Sequence, residues 1–211
     1  MSSYSALIVD FGGVLTTPIQ DSMEAFSNEL GIDFDDFLRV ALRAYVEGDD
    51  DLVFAFETGK LDEEEFSVRF AQRLAQATGK EIDPERFVQR MFGGMRLEEG
   101  MLDAVAKARA AGFKTGLLSN SWGLGGYPRA RLAEIFDDVV ISAEVGMRKP
   151  DPAIFELSVT HLGVPPNASI FVDDHPGHLK AAAESGMTTV LHRSPAQTIA
   201  ELELLLDVGL S

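Results

Sequence analysis

Four short polar stretches of the sequence hold the side chains best suited to chemistry. They are Asp10-Phe11-Gly12-Gly13, Ser119-Asn120-Ser121, Gly146-Met147-Arg148-Lys149-Pro150 and Asp173-Asp174. Three carboxylates that converge on one point cannot all be ionised unless a cation lies among them. Because none of these stretches contains His or Cys, their hard oxygen ligands favour Mg²⁺. The pattern predicts a magnesium site that includes Asp10, Asp173 and Asp174.

The same stretches contain the groups needed to transfer a phosphoryl group. Asp10 would attack phosphorus and form an aspartyl phosphate. Lys149 would neutralise the equatorial oxygens of the transferring group, and Ser119 would donate a hydrogen bond to one of them. Backbone amides of the glycine-rich turn after Asp10 would complete an anion-binding cradle.

Each polar stretch lies at or after the end of an apolar run, and these runs predict one sheet. Nearly continuous apolar strands that alternate with helices are typical of a parallel sheet covered on both faces. We predict an α/β fold with a doubly wound, Rossmann-like parallel sheet, in which ligands bind at the carboxyl ends of the strands. The predicted strands are Tyr4–Asp10, Phe113–Ser119, Val139–Ser142, Ser169–Asp173 and Met187–Leu191.

Between the first and second strands the pattern changes to successive amphipathic helices. Pro84 is expected at the first helical position of one of them. The acidic run Glu47–Asp51 is interpreted as a solvated helix end. We predict an α/β core domain of residues 1–16 and 97–211, with a helical domain of residues 17–96 inserted after the first strand.

Composition narrows the range of partners. The chain has 211 residues, no Cys and a formal net charge of −16. An acidic surface repels phosphate backbones and anionic lipid, so nucleic-acid and membrane binding are disfavoured. With neither a signal-peptide pattern nor a membrane-span pattern, the sequence predicts a cytoplasmic protein that is a monomer or homodimer.

The four polar stretches, in this order and spacing, resemble the motifs of the haloacid dehalogenase-like superfamily of hydrolases. The inserted helices resemble that superfamily's α-helical cap of the first type. LLSNSW (117–122), EVGMRKPDPAIFE (144–156) and FVDD (171–174) resemble more closely the N-terminal phosphatase domain of soluble epoxide hydrolase and its bacterial relatives. The resemblance covers essentially the whole chain. It implies a Mg²⁺-dependent phosphatase for a small phosphorylated metabolite.

The resemblance also implies a role for each matching residue. Asp10 would be nucleophile and metal ligand, and the carbonyl of Gly12 and the carboxylate of Asp174 would be further ligands. Asp173 would lie in the metal shell or just behind it. The residues that would hold or line the phosphoryl group are Ser119, Lys149 and Asn120.

The sequence departs from the superfamily pattern at Gly12, where most phosphatases of this kind have a second Asp. That Asp normally protonates the leaving group and later activates water, and such catalysis contributes about 10²–10⁴-fold. One alternative is therefore a protein that binds Mg²⁺ and a phosphorylated ligand with little turnover. A 2-haloacid dehalogenase is a further alternative, but the Asp173-Asp174 pair favours metal and phosphorus chemistry.

Overall fold

A five-stranded parallel sheet forms the centre of the α/β part of the molecule. The computed structural model describes residues 3–46 and 52–211, so the run Glu47–Asp51 lies outside the described residues. The spatial order of the strands is β3-β2-β1-β4-β5. The strands are β1 (Ala6–Val9), β2 (Lys114–Ser119), β3 (Asp138–Ile141), β4 (Ser169–Asp173) and β5 (Thr188–Leu191). The predicted doubly wound parallel sheet is confirmed.

Strand β1 is the central strand, and all four of its side chains are buried. Leu7 and Val9 face one hydrophobic layer, whereas Ala6 and Ile8 face the other. Val9 pairs with Leu117 on one side and with Val172 on the other. The chain leaves β1 between β2 and β4, where the order of strands reverses, and such a point is where open α/β sheets bind ligands.

Of the helices described between β1 and β2, the first five have a hydrophobic core of their own. Phenylalanines dominate this core: Phe26, Phe37, Phe66 and Phe87 are each at most 1% exposed. We call this helical insert the cap. Its helices are α1 (Ile19–Glu29), α2 (Phe34–Val46), α3 (Leu52–Glu57), α4 (Glu63–Thr78) and α5 (Phe87–Phe92).

The two chain segments that connect the sheet to the cap are hydrogen-bonded to each other. Thr16 and Leu97 form an isolated antiparallel bridge, and the Thr17 amide donates to the carbonyl of Arg96 at 2.8 Å. These contacts lie where the sequence predicts the domain boundaries, at 16/17 and 96/97. The division itself stays a prediction.

Further helices cover the two faces of the sheet. Residues from α6 and α11 belong to one hydrophobic layer, and residues from α9 and α10 belong to the other. No helix within residues 3–46 and 52–211 is long and apolar enough to cross a membrane. The helices after the cap are α6 (Glu99–Ala110), α7 (Arg129–Ile135), α8 (Ser142–Val145), α9 (Pro152–Leu162), α10 (Pro176–Glu184) and α11 (Pro195–Leu206).

The predicted helix start at Asp83-Pro84-Glu85 is wrong. Helix α5 begins only at Phe87, and Arg86 before it has a left-handed backbone with φ of 52°. The Asp83 carboxylate accepts a hydrogen bond from the Glu85 amide at 2.9 Å, so it closes a local turn instead of capping a helix. No pattern in the sequence predicts the short helices α3 and α8.

The turn after α3 presses against the start of α8, and Gly59 makes this approach possible. Gly59 has φ of +70°, and a Cβ there would lie 2.3 Å from the carbonyl oxygen of Ala143. Gly79, at the end of α4, has nearly the same φ of +69° but open space around it. A substitution at Gly79 therefore introduces backbone strain alone, whereas the same substitution at Gly59 adds a steric clash.

We predict that Gly59→Ala destabilises the protein more than Gly79→Ala does. Both variants place Ala in a left-handed conformation, which costs about 1–2 kcal/mol. Overpacking against Ala143 adds about 1–3 kcal/mol in Gly59→Ala alone. Urea denaturation of both variants measures the difference in the free energy of unfolding. Equal losses would show that the turn does not dock as described.

Candidate active site

Three acidic side chains converge at the carboxyl ends of β1 and β4. Oxygen atoms of Asp10, Asp173 and Asp174 all lie within 4.8 Å of one another. The parallel register brings them together, because the Asp10 amide donates to the carbonyl of Val172 at 2.9 Å. The Asp174 carboxylate lies directly over Gly13, where a Cβ would be 2.3 Å from Oδ2. The structure thus brings together the three carboxylates that the sequence predicts as metal ligands.

Lys149 lies fully buried between two of these acids. Its Nζ atom is 2.8 Å from Asp10 Oδ1 and 2.7 Å from Asp173 Oδ2. Asn120 fixes the backbone of the lysine, since its Oδ1 accepts from the Lys149 amide at 2.8 Å and its Nδ2 donates to the Lys149 carbonyl at 3.0 Å. Asn120 therefore holds the lysine in place as well as lining the site.

Burial and neighbouring charges shift the pKa values of these three groups in different directions. Burial raises the pKa of Asp10 to about 7, against the pull of Lys149. Burial also favours protonation of Asp173, but Lys149 and His178 hold the pKa of Asp173 well below its usual range. Although burial disfavours the ammonium group, the two carboxylates raise the pKa of Lys149 above its ordinary value. Lys149 therefore pairs with both carboxylates, and an additional cation would favour ionised Asp10.

Ser119 ends β2 and lies beside Tyr127. The two hydroxyl oxygens are 2.8 Å apart, within hydrogen-bond distance. The Tyr127 ring packs against Phe11 with centroids 4.8 Å apart. Burial raises the pKa of Tyr127 to about 12, so its hydroxyl stays protonated. No sequence spacing selects Tyr127, because the contact depends on how the loop after β2 folds back.

The position of the absent second acid is beside an apolar side chain of the cap. A Cβ built on Gly12 would lie 2.5 Å from Cδ1 of Ile19, which begins α1. Ile19 therefore occupies the space into which a side chain at position 12 would extend. A side chain at position 12 would require the end of the Ile19 side chain to move.

A cavity of about 440 Å³ lies between the strand ends and the cap. The strand ends contribute Asp10, Ser119, Asn120 and Asp174, while Lys149 and Asp173 lie behind them. The cap and the loop after β2 contribute mainly apolar groups, with Arg96 as a cation in the lining. Further side chains that line the cavity are Ile19, Glu57, Phe92, Met95, Trp122, Tyr127, His175 and His178.

The family of the chain follows from a match to a known sequence pattern. Residues 4–186 match the family model described as haloacid dehalogenase-like hydrolase. The chain belongs to this family of hydrolases. The resemblance inferred from the four polar stretches is thereby confirmed at the level of the family.

Two curated relatives illustrate the similarity in sequence. The bifunctional epoxide hydrolase 2 of Sus scrofa is 30% identical over 221 residues, covering 97% of this hydrolase and 39% of the relative. The flavin mononucleotide hydrolase 1 of Arabidopsis thaliana is 31% identical over 140 residues, covering 63% of this chain and 53% of the relative. This hydrolase thus spans only part of the length of either relative.

Solved structures share the fold. A predicted HAD-like family hydrolase from Porphyromonas gingivalis has a TM-score of 0.74 at 22% identity, covering 98% of this chain and all (100%) of the other. A HAD family enzyme from Bacteroides thetaiotaomicron, in complex with magnesium and inorganic phosphate, has a TM-score of 0.63 at 21% identity, with 90% and 94% covered. At these identities the similarity establishes the α/β fold.

Proposed function

We propose that this hydrolase is a Mg²⁺-dependent phosphatase that acts on a small phosphorylated metabolite through an aspartyl phosphate on Asp10. The observation that carries the proposal is the convergence of Asp10, Asp173 and Asp174 around the buried ammonium of Lys149, below a cavity. The name of the Arabidopsis relative, flavin mononucleotide hydrolase 1, supports hydrolysis of a small phosphorylated molecule. A cavity of about 440 Å³ beneath the cap favours a small molecule as substrate.

The donor set fits Mg²⁺. Carboxylate oxygens of Asp10 and Asp174 and the carbonyl of Gly12 would hold the ion, with Asp173 in or just behind its shell. Hard oxygen donors of this kind suit Mg²⁺ better than softer metals. Bound Mg²⁺ would neutralise charge on the phosphoryl group. A neighbour of the same fold, from Bacteroides thetaiotaomicron, binds magnesium and inorganic phosphate.

Asp10 is oriented as a nucleophile by two contacts to the same oxygen. Its Oδ1 accepts from the Phe11 amide at 2.7 Å and lies 2.8 Å from Lys149 Nζ. We assign Oδ2 as the atom that attacks phosphorus, forming the aspartyl phosphate as the bond from phosphorus to the leaving oxygen breaks. Water then cleaves the acyl phosphate, which releases inorganic phosphate and restores the carboxylate.

Ser119 and Lys149 would stabilise the phosphoryl oxygens during transfer. Ser119 Oγ lies 2.8 Å from the Tyr127 hydroxyl and donates to the Asn120 carbonyl at 3.3 Å, and rotation of its hydroxyl would direct this proton to a phosphoryl oxygen. Lys149 supplies a fixed positive charge next to the nucleophile. Preorganised donors and charges of this kind lower the barrier because they need no rearrangement during the reaction.

The position of Ile19 beside Gly12 supports a second candidate function. With an apolar side chain where the second acid would lie, this chain lacks at that position a group that protonates the leaving oxygen. A protein that binds Mg²⁺ and a phosphorylated ligand with little turnover is the alternative. The rate of phosphate release separates the two functions.

The first prediction concerns the nucleophile. With Mg²⁺ the protein releases phosphate from an activated aryl phosphate, and Asp10→Asn lowers this rate by about 10³-fold or more because the attacking group is lost. Asp103→Asn, an identical change at an exposed site on α6, leaves the rate unchanged. Phosphate release is measured with Mg²⁺ and with a chelator in its place. Equal activity of Asp10→Asn and the unmodified protein would contradict the proposal.

The second prediction concerns the missing acid. Gly12→Asp combined with Ile19→Ala adds a carboxyl group and makes room for it, so hydrolysis of alkyl phosphates rises by about 10²–10⁴-fold. In the step that forms the aspartyl phosphate, followed as the pre-steady-state release of the leaving group, an aryl phosphate gains much less because its leaving group departs without a proton. Ile19→Ala alone provides the baseline for the rates of both substrates. A gain of the same size for both would show that protonation of the leaving group is not what position 12 limits.

A further inference from the structure

We propose that Glu57, at the end of cap helix α3, is a positioning residue that links the docked cap to the loop carrying Lys149. This inference rests on the proposed phosphatase function. The Glu57 side chain is 1% exposed, and its Oε2 lies 2.8 Å from Nη1 of Arg148, the residue before Lys149. A cap carboxylate thus forms a nearly buried ion pair with the catalytic loop of the core.

Arg148 connects this ion pair to the lysine itself. Its Nε donates to the Lys149 carbonyl at 3.3 Å. Its guanidinium also lies over the ring of Phe54 on α3, 5.4 Å from the centroid. The arginine therefore contacts the cap through both Glu57 and Phe54, and it contacts the backbone of Lys149.

Asn120 makes a second connection between Glu57 and Lys149. Its Nδ2 lies 3.5 Å from Glu57 Oε2 and 3.0 Å from the Lys149 carbonyl. Its Oδ1 accepts from the Lys149 amide. The amide that fixes the Lys149 backbone is therefore itself in contact with the cap carboxylate.

The backbone of Glu57 is also hydrogen-bonded to the core. Ser142 Oγ donates to the Glu57 carbonyl and accepts from the Ser121 amide at 2.7 Å. Together with the approach of Gly59 to Ala143, this contact seats the end of α3 on the core. The carboxylate is thus directed at Arg148 and Asn120 by a well-defined support.

Packing alone gives no reason for an ion pair at this place. Removing two charges from water is costly, and a pair of apolar side chains would hold two surfaces together as well or better. The Glu57–Arg148 pair instead joins the cap to the residue directly before Lys149. When the cap is docked over the cavity, Glu57 fixes Arg148 and Asn120, and these fix the backbone from which Lys149 reaches Asp10.

The test compares Glu57→Gln with Glu64→Gln, which makes the same change at an exposed cap position. Steady-state hydrolysis of an aryl phosphate with Mg²⁺ gives kcat and KM, and NMR-detected hydrogen exchange reports on the Lys149 amide. We expect Glu57→Gln to lower kcat at least about tenfold with KM changed less than about threefold. Exchange of the Lys149 amide becomes at least about tenfold faster. Glu64→Gln changes neither.

A double variant separates positioning from stability. Glu57→Gln with Arg148→Gln removes both charges, and its kcat falls no further than that of the worse single variant if the pair acts as a unit. Thermal unfolding of every variant monitors folding. A lower Tm in Glu57→Gln with kcat and Lys149 exchange unchanged would overturn the inference. If the unmodified protein releases no phosphate, the proposed function is wrong. The positioning role is tested independently by hydrogen exchange, and unchanged exchange of the Lys149 amide in Glu57→Gln would overturn it.

Discussion

The ammonium of Lys149, buried between the carboxylates of Asp10 and Asp173, is the interaction on which the site depends. A charge without solvent exposure is tolerated only when it is paired and hydrogen-bonded. The parallel register of the sheet places Asp10 beside the end of β4, so both carboxylates can pair with the lysine. Asn120 positions the lysine by hydrogen bonding to its backbone amide and carbonyl. Several strand ends must therefore be in place before the charges balance.

The surroundings of the two carboxylates beside Lys149 shift their pKa values in opposite directions. Lys149 and His178 keep Asp173 ionised, whereas burial raises the pKa of Asp10. Asp10 is therefore ionised less readily than Asp173 in the protein alone. A divalent cation would supply the additional positive charge, and it would also attract an anionic phosphoryl group.

Most of the fold could be predicted from sequence, because the apolar runs and the helical periodicity are local signals. The polar strand ends could also be predicted, since parallel strands place their carboxyl ends at one edge. The start of α5 was missed because Asp83 forms a turn with Glu85, although its sequence resembles a helix cap. The contacts of Glu57 with Arg148 and of Ile19 with Gly12 were missed for another reason. They join residues from the cap and the core whose approach depends on tertiary packing.

The proposed mechanism requires that Asp10 becomes covalently phosphorylated. The most direct measurement is the mass of the intact protein after brief incubation with Mg²⁺ and an aryl phosphate and a rapid acid quench. Because Gly12 supplies no base to activate water, we expect an adduct of one phosphoryl group to accumulate. Peptide mapping places it on Asp10, and Asp10→Asn does not acquire it. Phosphate release without any such adduct would contradict a mechanism through an aspartyl phosphate on Asp10.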